Sequence, residues 1–237
     1  MSKYWDNKIE YEAVLSSIIA KCTGLIKNRH GLDVDIESLR LDDAKVYELI
    51  NTDTSTDVFG LEVSEYHGWI SRICPTEIRH IEALHAMSSP WMRGKYSEYI
   101  SNKDNPEIVE YHSEIEQKIL EDTYGVVIYT DQIKEIIHRY SGIPEDVSAN
   151  IVIYIRKCMK TELSIWKSVF VVGAQKKGLE EKQADEIWEW LIKEGETTTY
   201  RYMAESEAVK TYQCYWLKSY YPDEYKDALI PTINTTK

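Results

Sequence analysis

The stretch Thr123-Tyr124-Gly125-Val126-Val127-Ile128-Tyr129-Thr130-Asp131-Gln132-Ile133 decides how the chain is read. Gly125–Tyr129 is a short apolar run, either a strand or a buried entry into a helix. Gln132–Tyr140 then repeats on a helical period, and Gly142-Ile143-Pro144 breaks it. Outward from this centre the helical pattern persists. Residues 112–120 precede it as a helix. Asp146–Met159 sets Val147, Ile151, Tyr154, Ile155 and Cys158 on one side. Trp166–Ala174 and Glu181–Lys193 form a helical hairpin around Lys177-Gly178. Residues 204–219 bring Ala204, Ala208, Tyr212, Tyr215 and Ser219 close to one face, and Pro222 opens a last short helix ending near Ile230.

Toward the N-terminus, residues 9–28 carry Ala13, Val14, Ile18, Cys22 and Leu25 in one stripe, with Gly31 as the stop. Asp42 or Asp43 caps a helix over Ala44–Ile50. Thr76 caps another that runs to Met87, where Ser88-Ser89-Pro90 ends it. Residues 101–107 are the most linker-like stretch. Small strand elements are expected near 32–36, 57–62 and 125–129. The expected core comprises Val14, Ile18, Leu49, Phe59, Leu61, Ile78, Leu84, Ile119, Val127, Ile133, Ile137, Ile151, Ile155, Val169, Ile187, Leu191, Tyr212 and Leu217.

The 237 residues carry 28 Lys+Arg against 40 Asp+Glu, a formal charge of -12. Residues 1–120 hold 13 basic and 21 acidic side chains, and 121–237 hold 15 and 19, so neither half is a basic module that would wrap nucleic acid. No apolar run approaches the roughly 20 residues a membrane span requires, and Met1–Asn7 lacks the apolar core of a signal segment. Cys22, Cys74, Cys158 and Cys214 show no staple or zinc spacing and read as thiols in a reducing cytoplasm. The 18 Tyr and 7 Trp against 2 Phe tilt slightly toward a surface that binds.

Candidate chemistry is sparse. Asp33, Asp35 and Glu37 would share one face of an extended segment and could hold divalent cations, although such alternation is more often a solvated face. His80 and His85 are five apart, about 140° around a helix, where zinc proteases place the pair four apart. There is no nucleophile elbow and no glycine-rich phosphate loop, and no cofactor is expected. Small basic spots occur at Arg156, Lys157 and Lys160 and at Lys176 and Lys177.

Several blocks together resemble the bacterial DNA polymerase III alpha subunits, the C-family replicative polymerases. Asp33-Val34-Asp35-Ile36, Leu41–Ile50 and Asp57-Val58-Phe59-Gly60-Leu61-Glu62 are similar to the stretch leading out of the palm. Pro75-Thr76-Glu77-Ile78 follows in order. Thr123–Ile133 is similar to the most recognisable fingers motif, and Phe170–Ala174 with Gly178-Leu179 to the next hairpin. Tyr212–Tyr225 is similar to the helix pair near the fingers' end. Order and rough spacing hold from about residue 9 to 230. The resemblance implies a mainly α, polymerase-fingers-like helical domain with a small β element. Residues 1–105 would be a palm-exit remnant and lower fingers portion, and 106–237 an upper helical lobe.

The departures bear on function. Two of the family's three palm aspartates would lie upstream of the represented segment. The third falls near Ile9, with Glu10 and Glu12 nearby. The arginine of the arginine-proline-glycine-proline loop is absent from Ala86–Met92. Gly60 and Thr130 replace glutamines, whereas Gln132 stays. Paired arginines fall on Val152 and Ile153, and Tyr200-Arg201-Tyr202-Met203 replaces an asparagine-lysine-serine-histidine loop. Replacing Arg by Val or Ile deletes charge and bidentate donors together. The resemblance therefore implies a catalytically inactive mimic of the fingers, not an enzyme. It would bind a replisome-linked or polymerase-sensing protein, with weak or no nucleic-acid binding and no membrane, and a phage or mobile element could encode it. The alternatives are a fingers subunit of a split polymerase and a DNA-binding accessory module. Candidate contacts with nucleic acid or a partner are Gln132, Arg156, Lys157, Lys160, Lys176, Lys177, Arg201 and Lys218. Independent Mg²⁺ chemistry at Asp33, Asp35 and Glu37 ranks last.

Overall fold

The structure is a computed structural model and describes residues 2–53, 58, 64–89 and 91–233. Its twelve described α-helices are α1 (Ser2–His30), α2 (Ala44–Thr52), α3 (Ser64–Ile73), α4 (Ile78–Met87), α5 (Tyr96–Asp104) and α6 (Glu114–Leu120), followed by α7 (Thr130–Ser141), α8 (Glu145–Arg156), α9 (Lys160–Lys176), α10 (Glu181–Gly195), α11 (Arg201–Tyr220) and α12 (Pro222–Ile233). Two compact units result: Met1–His85 with Ala204–Lys237, and Ala86–Met203.

In the first unit, α1 packs along α12. Gly31 stops α1 with φ +69°, its N–H donating to Lys27 O at 3.0 Å. Arg29 then reaches Glu224 and Asp227, and His30 Nε2 lies 3.0 Å from Glu224. Asp43 is the cap of α2: its side chain accepts from the Lys45 N–H at 2.9 Å. Its own N–H donates to the Tyr212 hydroxyl at 2.9 Å, and the Tyr220 hydroxyl donates to its carboxylate. The Tyr47 and Tyr212 rings pack 5.5 Å apart. His80 and His85 are buried, and His85 meets Thr211 at 2.9 Å and Glu207 at 3.4 Å. Before α4, the Thr76 N–H donates to His80 Nδ1 at 3.2 Å.

The second unit is built on α7, which packs against α6, α8 and α9, while α10 covers α8 and α9. Ile133, Ile137, Ile151, Ile155, Phe170, Trp188 and Leu191 fill its core, with Phe170 and Trp188 ring centroids 5.2 Å apart. Gly173 lets α9 touch the end of α7: a Cβ there would run into the Ser141 carbonyl oxygen. α10 opens on a capping box in which the Glu180 N–H donates to Gln183 Oε1.

Two expectations need correction. No β-strand forms among the described residues. Residues 32–35 are irregular and lead into a single 3₁₀ turn, Ile36–Ser38, and of 57–62 only Val58 is described. Residues 126–129 are extended but make one isolated parallel bridge, Tyr129 with Thr199. The reason lies in where their backbone groups go. The Ile128 and Tyr129 N–H groups donate to Gln132 Oε1, the Val127 carbonyl accepts from Lys95 Nζ, and Thr199 N–H donates to Ile128 O. Side chains and one bridge satisfy the segment, so no ladder is built. The second correction is Val169, which is 44% exposed. Phe59 and Leu61 lie outside the described residues, and Val14, Leu49, Ile78 and Ile119 are half-buried.

Candidate partner-contact site

The site starts from the turn at Thr123-Tyr124-Gly125. Tyr124 (φ +53°) and Gly125 (φ +80°) are both left-handed. Gly125 N–H donates to Leu120 O at 2.9 Å, and Tyr124 N–H to Glu121 O at 3.3 Å, the bonding of a Schellman stop. A Cβ on Gly125 would sit 2.5 Å from the Val109 side chain, so glycine is required on two counts. The chain then runs extended and buried to Thr130. Gln132, 1% exposed, holds it there, and its amide nitrogen donates to Thr123 Oγ1 at 2.8 Å. Thr130 N–H donates to Thr199 O at 2.9 Å, which ties the loop ahead of α11 to the start of α7.

That tie positions Arg201. Its Nη1 donates to Asp122 Oδ2 at 2.6 Å and its Nε to Asp131 Oδ2 at 3.0 Å. The guanidinium also lies 4.2 Å over the Tyr129 ring. Burial alone would lower the guanidinium pKa, but the hydrogen bond to Asp122 and the charges of Asp122 and Asp131 outweigh it and hold the pKa above its ordinary value. One cation faces two carboxylates, so this cluster carries net negative charge and offers a phosphate little.

Beside it runs an open groove of ≈ 390 Å³ lined by Thr130 and Lys134 of α7, Val152 and Ile153 of α8, and Tyr200 and Tyr202. Ile153 is 41% and Tyr202 66% exposed. The two tyrosine rings lie 5.7 Å apart, and Arg156 stacks 4.8 Å over Tyr200. Lys134 is paired with Glu145 at 3.0 Å. The groove therefore presents apolar and aromatic surface with its cations held by neighbours.

Of the expected contact residues, the structure brings Arg156 and Arg201 to this groove. Gln132 is interior, with its amide committed to the backbone and Thr123. Lys157 and Lys160 stand exposed at the turn between α8 and α9, with no ion-pair partner among the described residues. Lys176 and Lys177 lie at the other end of α9, about 24 Å away by helical rise; Lys177 Nζ donates to Arg139 O at 2.7 Å. Lys218 belongs to the first unit and pairs with Asp53 at 2.6 Å. Sequence reasoning noted Val152, Ile153, Tyr200 and Tyr202 as departures and missed them as a surface. The available signal was two tyrosines flanking an arginine, set against an adjacent apolar pair.

Among the described residues, no three His, Cys, Asp or Glu side chains converge to hold a metal ion. Asp33 pairs with Lys27 at 2.8 Å, Asp35 and Glu37 are exposed, and Glu12 accepts from the Ser206 hydroxyl at 2.6 Å. No described helix is long and apolar enough to cross a membrane. The four cysteines are free. Cys22 and Cys214 are buried, and burial pushes both thiols up to about 12.

The second unit is thus a helical body packed around α7, with a glycine-dependent turn feeding that helix and a groove at its start. The chain belongs to the bacterial DNA polymerase III alpha subunit finger domain family, whose profile matches residues 16–178. It is 27% identical over 216 residues to DNA polymerase III subunit alpha of Campylobacter jejuni, 28% over 220 residues to that of Helicobacter pylori, and 30% over 206 residues to that of Aquifex aeolicus. The alignments cover 85–90% of this chain and 18% of each relative, so the chain spans about a fifth of their length.

Proposed function

We propose that this chain acts as a fingers-type binding module without chemistry of its own, docking on a replisome-linked or polymerase-sensing protein and modulating it. The observation that carries the reading is the groove of Val152, Ile153, Tyr200 and Tyr202, whose lining cations are already held, Arg201 by Asp122 and Asp131 and Lys134 by Glu145. A triphosphate needs uncommitted cations. An apolar anchor of a partner protein needs what this groove offers: aromatic and aliphatic walls with a polar rim. A formal charge of -12 also disfavours a phosphate-rich partner.

The test is affinity capture with the chain as bait, washed at about 0.5 M salt, where exposed charge contacts are screened, and read by mass spectrometry. The expected result is a replication-associated protein retained at that salt and lost with Ile153→Asp. Recovery of nucleic acid alone, released by the salt wash, overturns the reading. A second reading, DNA contact, is favoured by Lys157, Lys160 and Lys176, which have no ion-pair partner among the described residues, and predicts log affinity falling linearly with log salt. A palm-bearing polymerase chain in the capture, restoring synthesis when mixed with this one, would instead select the split-polymerase alternative.

A further inference from the structure

The helix α9 has a second apolar face that the core does not use. Leu163, Phe170 and Ala174 are buried on one side. Ile165, Val169 and Val172 are 61%, 44% and 50% exposed on another. Their spacing of four and three places them in a single stripe along the helix. The stripe borders an open apolar groove of ≈ 580 Å³, lined by Trp166, Val169, Val172 and Gly173 of α9 with Ile143 and Val147 on its far side. Isolated exposed apolar residues need no explanation, but a contiguous stripe beside a groove marks an interaction surface.

The charges at the ends of the stripe say what fits it. Glu162 continues it toward the N-terminus and Lys176 toward the C-terminus, giving positions 162, 165, 169, 172 and 176 with spacings of three, four, three and four. Val169 is midway, seven residues from each charge, about 10.5 Å of helical rise either way. Neither Glu162 nor Lys176 has an ion-pair partner among the described residues. Reversing the direction of this stripe places negative opposite positive at both ends and apolar opposite apolar between them. Such a surface is self-complementary in the sense a two-fold interface requires.

We propose that α9 packs antiparallel on α9 of a second copy of this chain, about a two-fold axis near Val169, with Glu162 of each copy facing Lys176 of the other. This surface lies apart from the groove that carries the proposed function, and the two stand or fall separately.

The experiment is sedimentation equilibrium of the full chain from about 5 to 200 µM, the range in which a modest interface associates. A monomer–dimer equilibrium is expected, abolished by Val169→Arg, which sets two cations together on the axis. Val169 is exposed, so an unchanged circular dichroism melt will show that the variant folds. Glu162→Lys and Lys176→Glu are each expected to weaken self-association about ten-fold, since each puts like charges at both ends. Mixed in equal amounts, the two variants restore a heterodimer, because both end pairs become attractive again, and added salt weakens it. A wild-type chain that stays monomeric to 200 µM, a dimer insensitive to Val169→Arg, or a mixture that fails to recover association would each overturn the proposal. In the monomeric case the stripe would belong to a different partner.

Discussion

Arg201 Nη1 lies 2.6 Å from Asp122 Oδ2, joining the first residue of α11 to the 3₁₀ turn that precedes Tyr124. Through Asp131 the same guanidinium also holds the first turn of α7. Arg201→Met removes both bonds and leaves two carboxylates close together. Asp122 and Asp131 keep 38% and 46% of their side-chain surface in water, so screening limits the loss to about 1–2 kcal/mol. Urea denaturation should show it as a lower midpoint, and Arg201→Lys should fall between, keeping the charge without the fork.

Gln132→Ala should cost more than its size suggests. The Ile128 and Tyr129 N–H groups would lose their acceptor inside the unit, and Thr123 its donor. Each buried unsatisfied group costs about 1–3 kcal/mol, so a loss of about 3 kcal/mol is expected in the same denaturation experiment. In the variant, amide exchange that quickens at 128 and 129 more than within α7 would tie the loss to these groups.

Cys158 is a stop residue in an unfavourable conformation. Its φ is +52°, its N–H donates to Ile155 O, and the Met159 N–H reaches back to Tyr154 O. Glycine suits that position, as at Gly178 after α9. Relief of left-handed strain by Cys158→Gly, about 1–2 kcal/mol, is partly offset by the freer unfolded chain. A net gain of about 0.5 kcal/mol, seen as a melting temperature about 1–2 °C higher, is expected.

The thiols should separate by reactivity and by pH. Cys74 and Cys158 are exposed and Cys22 and Cys214 buried, so a disulfide-exchange reagent at about pH 8 should modify two fast and two only after denaturation. Burial holds the inner pair at about 12 against an ordinary 9.0. Above the ordinary value the unfolded chain releases these protons and the folded chain keeps them. Stability from this source is complete below about pH 9 and falls as pH rises toward 12. Cys22→Ala with Cys214→Ala should flatten that part of the profile, read as denaturation midpoint against pH.

Much of the frame was legible because its signals are local. Gly31 stops α1, Asp43 caps α2, and Gly142 ends α7 where expected. The short apolar run at 126–129 was ambiguous for a physical reason. It is extended, yet its hydrogen-bond partners are the Gln132 amide, Lys95 and Thr199, which no local pattern exposes. Val169 was misplaced because α9 is apolar on two faces, and periodicity alone cannot choose which one meets the core. The groove was legible only in pieces: Val152 and Ile153 come together with Tyr200 and Tyr202 through the Thr130–Thr199 tie, a contact nearly 70 residues long in sequence.

The interleaving of the two units has a consequence for synthesis. Residues 86–203 form one uninterrupted body, whereas α1 must wait for α12, more than 190 residues later, before Arg29 and His30 can meet Glu224. As the chain leaves the ribosome, the second unit can acquire its core while the first is still half made. An emerging α1 therefore holds Leu15, Ile18 and Ile26 uncovered until α12 has been made, and a pause placed after residue 203 would leave the second unit folded while α1 still lacks its partner.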